Sequence, residues 1–222
     1  MRLFTVVDCE QRTPEWFTAR AGVLTASEAR DMLAKPLKSG GEPACRRDLR
    51  VQKALELLTG KPAEESGFVS FDMKRGAELE PEARGAYEAS TGALVQSVGF
   101  LRHVSLPIGC SPDGIVGDYD GGLELKCPKQ ATHWGYWQLD GAVPADYKPQ
   151  IVHSLLVSGL PWWDFGSYHP DFPEPLRLYR VRVIREDIAK ELVAHEMIVT
   201  MFWREVQREL DAMRAKLAGV GA

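Results

Sequence analysis

The sequence lacks the short patterns that identify several common classes of enzyme and metalloprotein. Its four cysteines, at positions 9, 45, 110 and 127, are widely separated and form no CxxC pair. This spacing argues against a zinc or iron–sulfur site and is typical of reduced thiols in a cytosolic protein. No HExxH, HxH, GxSxG or GxxxxGK[ST] pattern occurs. Zinc hydrolases, esterases and P-loop ATPases are therefore disfavoured.

Long apolar segments are also missing. The chain contains no run of about 18 apolar residues, the length that a membrane-spanning helix needs. The first residues, up to Trp16, hold no sustained apolar segment of the kind found in secretion signals. We therefore expect a cytoplasmic protein that makes no membrane contact. A length of 222 residues with 45% hydrophobic content suits one domain, and we expect a single domain over residues 1–222.

The chain also lacks a surplus of positive charge. It has 27 Lys and Arg against 31 Asp and Glu, which gives a net charge of −4. This balance argues against a protein that coats nucleic acid without specificity, because phosphate contacts need Lys and Arg. It does not exclude a DNA enzyme, since such an enzyme needs one basic track and an acidic metal site.

Hydrophobic periodicity and turn signals predict helices at both ends of the chain around a central β region. That order of elements favours an α/β or α+β domain. Pro81 falls inside one predicted helix and is expected to kink or restart it. The residues 118–122 are typical of a hairpin turn. The predicted helices cover residues 25–34, 46–59, 72–90, 131–139, 147–158 and 186–217, and the predicted strands cover 94–104, 106–110, 114–116, 122–127, 162–168 and 176–184.

The most specific local feature is a pair of carboxylates with a lysine. Asp113 opens one arm of the predicted hairpin, and Glu124 and Lys126 lie two apart on the other arm, where they share a face. Converging carboxylates suit a hard cation such as Mg²⁺, and Lys126 could hold a water molecule or neutralise developing charge. Short patterns of this kind often arise by chance, and taken alone this one more often marks an ordinary turn and strand.

A glutamate on a predicted helix and an amide later in the chain extend this candidate site. Glu80 could complete the metal shell, although an isolated glutamate there would ordinarily lie on a solvated helix face. Gln150 could bind a phosphate or the attacking water, or simply be a satisfied helix amide. His153 lies three residues further on the same helix face, and structural burial is the expected role for it.

The N-terminal segment provides a candidate anion pocket. Thr25 and Glu28 form the pattern of a capping box, and Arg20, Thr25 and Ser27 gather at the start of the helix that it predicts. A helix N-terminus with a nearby arginine favours phosphate binding. The alternative is that Thr25 and Ser27 only cap the helix and Arg20 lies on the surface. Trp16 is expected in the core rather than as a platform for stacked bases.

Taken in order, these motifs resemble the phage lambda exonuclease family, the viral recombinase branch of the PD-(D/E)xK nucleases. The Asp…Glu-x-Lys core alone is unspecific, whereas the ordered set is highly specific. It extends over about residues 15–155. The stretches that carry the resemblance are 15–16 and 20–27, Ala34-Lys-Pro36, Arg75-Gly-Ala-Glu-Leu-Glu80 with Ala83-Arg84, Cys110-Ser-Pro-Asp-Gly114, Gly122-Leu-Glu-Leu-Lys-Cys-Pro128 and 147–150.

The resemblance implies a fold, an activity and partners. The fold would be α/β, a restriction-endonuclease-like core with a central mixed β-sheet flanked by helices. The activity would be 5′-to-3′ digestion of one strand of linear duplex DNA, leaving 3′ overhangs for recombination by strand annealing. Two Mg²⁺ ions, with Mn²⁺ able to substitute, would support phosphodiester hydrolysis. The partners would be double-stranded DNA ends, further copies of the chain in a trimeric ring, and a single-strand annealing protein.

The resemblance also implies roles for individual residues. Asp113 and Glu124 would be shared metal ligands, Glu80 and the Leu125 carbonyl would be further ligands, and Lys126 would be the catalytic lysine. The positions expected to contact DNA or its 5′-phosphate are Arg20, Thr25, Ser27, Ser111 and Gln150, with Tyr147 in the active site and Lys38 as a basic contact in the loop after Pro36.

The chain departs from the family pattern in three places. Leu37 and Lys38 stand where a relative has an early arginine, Pro149 directly precedes Gln150, and His153 replaces an aromatic hydroxyl. None of these positions belongs to the acidic core. Three alternatives stay open: an endonuclease or other repair nuclease on the same core, a Cas4-like nuclease, and a non-catalytic DNA-end-binding protein. The scattered cysteines argue against the second, and the intact acidic trio argues against the third.

Overall fold

The computed structural model describes residues 2–36, 38, 40–63 and 71–220. The strands are β1 (Phe4–Val7), β2 (Leu24–Thr25), β3 (Val95–Gln96), β4 (Phe100–His103), β5 (Ile108–Cys110), β6 (Gly114–Val116), β7 (Gly121–Lys126), β8 (Trp162–Tyr168) and β9 (Leu178–Ile184). The helices are α1 (Pro14–Arg20), α2 (Ala29–Met32), α3 (Ala44–Thr59), α4 (Phe71–Thr91), α5 (Gln130–Trp137), α6 (Lys148–Ser158) and α7 (Ala189–Val220).

The five strands β3-β6-β7-β8-β9, in that order, form a mixed sheet that carries the acidic residues. β7 and β8 run parallel, and the other neighbouring strands run antiparallel. A parallel pair needs a long crossover, here supplied by α5 and α6. A second sheet has the order β1-β4-β5-β2. The mixed sheet flanked by helices that the sequence predicted is confirmed.

The hairpin of β6 and β7 places Asp113 beside Glu124. Gly117 in its turn has a φ of 62°, and a Cβ there would lie 2.0 Å from the Asp120 carboxylate, so only glycine fits. Gly114 pairs with Leu123, and the Asp113 N–H donates to the Leu123 carbonyl at 3.0 Å. This register leaves Asp113 at the carboxyl end of β7.

Helix α6 connects the two sheets. Its residues from Ile151 to Ser158 are all buried, and it packs against strands of both sheets and against α7. His153, fully buried, lies 3.0 Å from His195 of α7 through ring nitrogens, and its other nitrogen lies 3.2 Å from the Leu24 carbonyl. Burial and the neighbouring His195 lower the pKa of His153 to about 3, so it stays neutral. The expectation that His153 is buried is confirmed.

Several expected boundaries were wrong. The strand expected over 94–104 is two strands, β3 and β4, which belong to different sheets. They separate near Gly99, where the chain passes so close to Cys9 that a Cβ would lie 2.1 Å from its carbonyl oxygen. Helix α4 runs through Pro81 without restarting. Pro81 lies on its exposed side, so the carbonyl that loses a donor can bond to water.

The element after Thr25 is shorter than expected. A 3₁₀ turn covers Ala26–Glu28, and α2 adds a single turn that ends at Met32. The last backbone bond, from Ala34 N–H to the Asp31 carbonyl at 3.2 Å, is a tight closing turn. The Thr25 N–H donates to the Glu28 carboxylate at 2.8 Å, and the predicted capping box is confirmed.

The longest helix of the described part, α7, begins and ends three residues later than expected. Within the described ranges, no helix is both long enough and apolar enough to cross a membrane.

Candidate active site

An acidic centre lies where β7 ends. Asp113, half-buried before β6, accepts a hydrogen bond from the Leu125 N–H at 2.6 Å through Oδ2. Glu124 is 2% exposed, and its Oε1 accepts a hydrogen bond from Lys126 Nζ. The period of two along β7 places Glu124 and Lys126 on one face, as the sequence predicted. The structure therefore brings together Asp113, Glu124, Lys126 and the Leu125 backbone.

Helix α6 covers this centre from the side. Gln150 forms a side-chain hydrogen bond with Glu124. Tyr147, at the start of α6, has its ring 5.3 Å from Lys126 Nζ, a distance at which the aromatic face stabilises a cation. The same ring stacks on Phe165 of β8 with a centroid distance of 5.3 Å. Gln150 and Tyr147 thus fix the Glu124–Lys126 pair in place.

The electrostatics of the centre favour binding of a cation. Burial raises the pKa of Glu124 to about 7, with Asp113 adding to the rise and Lys126 opposing it. Burial also raises the pKa of Asp113, against the effect of Lys126. Burial alone would lower the pKa of Lys126, but Glu124 and Asp113 leave it above its usual value. The carboxylates are crowded and poorly hydrated, and a further positive charge would relieve that cost.

Glu80 of α4 lies at the edge of the centre between two arginines. Arg12 Nη2 donates to its Oε2 at 3.2 Å, and Arg84 Nη2 lies 3.3 Å from its Oε1. Arg84 also donates to the Asp113 carbonyl at 2.8 Å and to Ser97. Burial and then Asp113 raise the pKa of Glu80, while both arginines lower it. Glu80 therefore lies near enough to Asp113 for the two charges to interact, but its oxygens contact arginines.

The residues fit a hard cation that keeps part of its water shell. Within the described ranges, no three His, Cys, Asp or Glu side chains form a ready-made metal cage. Mg²⁺ does not need one, since it commonly takes one or two carboxylates together with waters and substrate phosphate. Asp113 and Glu124 supply one half-buried and one buried carboxylate and Leu125 a backbone carbonyl, all oxygen ligands of the kind that Mg²⁺ prefers.

A second cluster, the anion pocket, lies at the N-terminal side of the site and consists of Arg20, Thr25, Ser27, Trp16 and Ser111. The guanidinium of Arg20 lies over the Trp16 ring with Cζ 4.0 Å from the centroid. Its Nη2 contacts the hydroxyls of Thr25 at 3.3 Å and Ser27 at 3.4 Å. The Trp16 Nε1 donates to Ser111 Oγ at 2.7 Å. Trp16 is half-buried and forms a wall of the pocket, so its placement in the core was wrong.

A buried ion network holds the anion pocket from behind. Lys53 of α3, 2% exposed, contacts Glu28 at 2.8 Å and Glu56 at 3.1 Å. Glu28 in turn accepts from the Thr25 hydroxyl at 2.9 Å. Burial lowers the pKa of Arg20, although Glu28 and Glu56 oppose that effect. The desolvated guanidinium and the converging hydroxyls suit a phosphate group.

Ser111 connects the two clusters. It bonds to Trp16 of the anion pocket and lies two residues before Asp113. Two residues of extended chain reach at most about 7 Å. Ser111 of the anion pocket and Asp113 of the acidic centre therefore lie within that distance of each other, so the two clusters are neighbours at this point of the chain.

The expected contact of Lys38 with DNA stays a prediction, and two arginines near the acidic centre were not predicted from the sequence. Lys38 is exposed in the loop between α2 and α3, and no contact within the described ranges joins it to Arg20 or Asp113. Arg84 was assigned no role from the sequence, although its spacing of four from Glu80 would have predicted an ion pair. Nothing in the sequence pointed to Arg12, which lies 68 positions before its partner Glu80. Both arginines line a cavity of about 420 Å³ beside Asp113.

Solved structures with the same fold are exonucleases by name. An alkaline exonuclease from Laribacter hongkongensis is 32% identical, with a TM-score of 0.81 over 94% of this chain and 100% of that one. The same enzyme in complex with dAMP gives 33% identity and a TM-score of 0.80 over the same shares. A phage-related exonuclease from Haemophilus somnus, 16% identical, shares the fold with a TM-score of 0.63 over 88% of this chain and 96% of that chain. The restriction-endonuclease-like core is thus confirmed.

The family model identifies the group to which the motifs belong. No curated protein matches the chain, whereas the model of the YqaJ-like viral recombinase domain matches residues 15–161. This range contains both clusters of the site, from Trp16 to Gln150. It also agrees with the resemblance to the lambda exonuclease family found in the sequence. Because the matched residues make up more than half of this chain, the chain belongs to the YqaJ-like viral recombinase family.

Proposed function

We propose that this protein is a Mg²⁺-dependent exonuclease that degrades one strand of linear duplex DNA from its 5′ end and leaves 3′ overhangs for strand annealing. The observation that carries the proposal is the connection through Ser111, which joins the anion pocket to the acidic centre. A terminal phosphate bound by Arg20 would place the adjacent phosphodiester near Asp113. The related solved structures are named as an alkaline exonuclease, which supports the exonuclease part of the proposal.

The arrangement assigns a task to each group of side chains. Arg20, Thr25, Ser27 and Ser111 would bind the terminal phosphate and set which bond is cut. Asp113 and Glu124, with the Leu125 carbonyl and Glu80, would hold two ions, and Mn²⁺ would serve as well. When bound, the metal would supply neutralisation of the charge on the phosphate and a more acidic water.

Lys126 is positioned to stabilise charge at the reacting phosphate. Its ammonium lies against Glu124 and faces Tyr147, and the raised pKa keeps it protonated. A fixed cation in a dry site interacts strongly with charge that develops during attack. Gln150, which bonds to Glu124, would keep that carboxylate aimed at the metal and could also hold the attacking water.

A panel of DNA substrates tests the proposal. We expect rapid Mg²⁺-dependent release of nucleotides from linear duplex with a 5′-phosphate, slower release with a 5′-hydroxyl, and no cleavage of a closed circle. Chelation should stop all digestion, because the negative charges of Asp113 and Glu124 would repel a phosphate without a cation between them. Cleavage of the closed circle would favour the endonuclease alternative, and binding of DNA ends without digestion would favour the non-catalytic one.

The Arg20→Ala variant tests the anion pocket separately. We expect the ratio of rates on 5′-phosphate and 5′-hydroxyl duplex to fall about 10- to 150-fold, since a charge-assisted hydrogen bond contributes roughly 1.5–3 kcal/mol. Initial rates on the two substrates, measured with excess enzyme, give the ratio directly. Arg214→Ala, at an exposed position of α7, is the matched control and should leave the ratio unchanged. An unaltered ratio in Arg20→Ala would remove this pocket from end recognition.

Assembly and partners are further parts of the proposal. A trimeric ring would enclose DNA and give processivity without a basic surface, which suits the net charge of −4. Exposed apolar side chains on α7, at Val193, Met197 and Met201, are suited to contact another subunit. The ring and the annealing protein rest on the resemblance.

A further inference from the structure

Arg12 adopts a backbone conformation that arginine rarely takes. Its φ is 70°, in the left-handed region that favours glycine. The neighbouring residues hold it there. The Gln11 side chain donates to the Val98 and Pro112 carbonyls, both at 2.9 Å, and Thr13 caps α1 with its hydroxyl 3.4 Å from the Trp16 N–H. These contacts therefore fix the backbone position from which the Arg12 side chain extends.

That side chain ends on Glu80. Arg12 Nη2 lies 3.2 Å from Glu80 Oε2, with 59% of the Arg12 side chain and 24% of the Glu80 side chain exposed. The pair lines the cavity beside Asp113. Glu80 is one of the carboxylates proposed to hold metal, so a cation that takes Glu80 would compete with Arg12.

The two arginines on Glu80 differ in their freedom to move. Arg84 has a side chain that is 23% exposed, and it also donates to the Asp113 carbonyl and to Ser97. Moving Arg84 would break those bonds in a partly buried place. Arg12 makes its hydrogen bond within the described ranges only to Glu80 and faces solvent. The ion pair of Glu80 with Arg12 can therefore break with a smaller loss of hydrogen bonds than its ion pair with Arg84.

We infer that Arg12 is an exchangeable counter-ion of the active site: it neutralises Glu80 until a divalent cation takes that carboxylate, and it then pairs with a phosphate of bound DNA. This inference rests on the proposed function, because it assumes that Glu80 faces a metal. Once Glu80 turns away, the Arg12 guanidinium stands at the mouth of the cavity without its carboxylate. The DNA backbone supplies the nearest anion.

If Arg12 exchanges partners in this way, removal of its guanidinium should change the affinity for metal and the affinity for DNA in opposite directions. Without its guanidinium, position 12 no longer competes for Glu80, so the metal should bind more tightly. The same change removes a contact to phosphate, so DNA should bind more weakly. If Arg12 only supported the loop, its substitution would weaken the binding of both ligands or of neither. The reversal of sign therefore separates an exchangeable counter-ion from a structural residue.

The experiment measures both affinities in the same set of variants. Mn²⁺ alone is titrated into DNA-free protein by calorimetry, and a 5′-phosphorylated duplex is titrated by fluorescence anisotropy with Mn²⁺ present, on a Lys126→Ala background that spares the DNA. We expect Arg12→Gln to bind Mn²⁺ about two- to fivefold more tightly and the duplex about two- to fivefold more weakly, as for one exposed ion pair. A plot of the logarithm of the DNA association constant against the logarithm of the salt concentration has a negative slope. That slope should become less steep by about 0.9, because one phosphate contact is lost.

Three further variants keep the result interpretable. Arg12→Gly removes the guanidinium and the backbone strain together, and it should give the same two shifts with a higher thermal midpoint. Arg12→Lys keeps the charge and should stay near wild type. Arg2→Gln is the matched control, since the Arg2 side chain is 57% exposed and pairs with Asp118 at 3.7 Å, and it should change neither affinity.

The outcomes distinguish this inference from the proposed function. If the wild type binds no Mn²⁺, or binds it equally well with Asp113→Asn, the proposed metal site is wrong and the role of Arg12 falls with it. If Mn²⁺ binding depends on Asp113 but Arg12→Gln leaves it unchanged or weaker, the metal site stands and the counter-ion inference is overturned. Weaker metal binding together with tighter DNA binding would also overturn it.

Discussion

Lys126→Ala is expected to lower the rate of DNA cleavage about 10²- to 10⁴-fold, with DNA ends bound nearly as well as by the wild type. Loss of a fixed charge or proton donor at the reacting centre typically costs about 10²- to 10⁴-fold in rate. Lys126 lies against Glu124 and faces Tyr147, whereas the anion pocket is built from other residues. Single-turnover cleavage and anisotropy with a 5′-phosphorylated duplex measure the two properties separately.

The Lys126→Ala variant needs a control for folding, because it leaves Glu124 buried without its cation. Thermal unfolding followed by circular dichroism shows whether the variant is folded at the assay temperature. Lys190→Ala, at an exposed position of α7, should cleave at the wild-type rate. Turnover within about tenfold of wild type in a folded Lys126→Ala protein would exclude Lys126 from the chemistry.

The parts of the site that lie on one strand or one turn were predictable from the sequence. Side chains alternate along a strand, so Glu124 and Lys126 had to share a face once β7 was identified. The hairpin turn was also predicted from the sequence, and the pairing of β6 with β7 places Asp113 beside Glu124 and Lys126. The mixed sheet followed from the order of helices and strands together with the family resemblance. Local periodicity carries this information because it depends only on neighbours in the chain.

Contacts between distant segments could not be predicted in the same way. Trp16 and Ser111 are 95 positions apart, and Arg12 and Glu80 are 68 apart. Trp16 was assigned to the core because tryptophan is usually buried, but a hydroxyl and a guanidinium satisfy it at the pocket. No spacing rule relates residues whose proximity is set by the packing of α1, α4 and the two sheets.

The sheet also contains a polar network that alternation along a strand does not reveal. Arg180 and Arg182 are exposed on one face of β9 and alternate with residues that are more buried. Asp164 of the neighbouring strand β8 is fully buried on that side, and it accepts from Arg182 at 2.8 Å, Arg180 at 3.2 Å and Tyr87 at 2.8 Å. The face is partly covered by α4, which brings Tyr87 to it. Alternation gives the direction of a side chain, while the layer above it decides what the side chain meets.

Asp113→Asn is expected to abolish cleavage while making the metal-free protein more stable. Asn preserves the acceptor for the Leu125 N–H but removes a negative charge that raises the pKa of both Glu124 and Glu80. The rate should fall at least about 10³-fold, since the centre loses a ligand and its charge. The free energy of unfolding in chelator should rise by about 0.5–2 kcal/mol, the range of a typical stabilising substitution at a destabilised site.

The two effects of Asp113→Asn have one cause, which makes the prediction a test of the site rather than of one residue. Crowded, poorly hydrated carboxylates destabilise the fold without a cation, and the same crowding would give the proposed cation its affinity. Urea unfolding in chelator and in excess Mn²⁺ separates the two. Excess Mn²⁺ should stabilise the wild type according to its occupancy and leave the variant almost unchanged. As a control, Asp118→Asn, in the exposed turn of the hairpin, should alter neither cleavage nor stability. A variant less stable than the wild type in chelator would mean that Asp113 contributes to the fold more through its hydrogen bond than it costs through its charge.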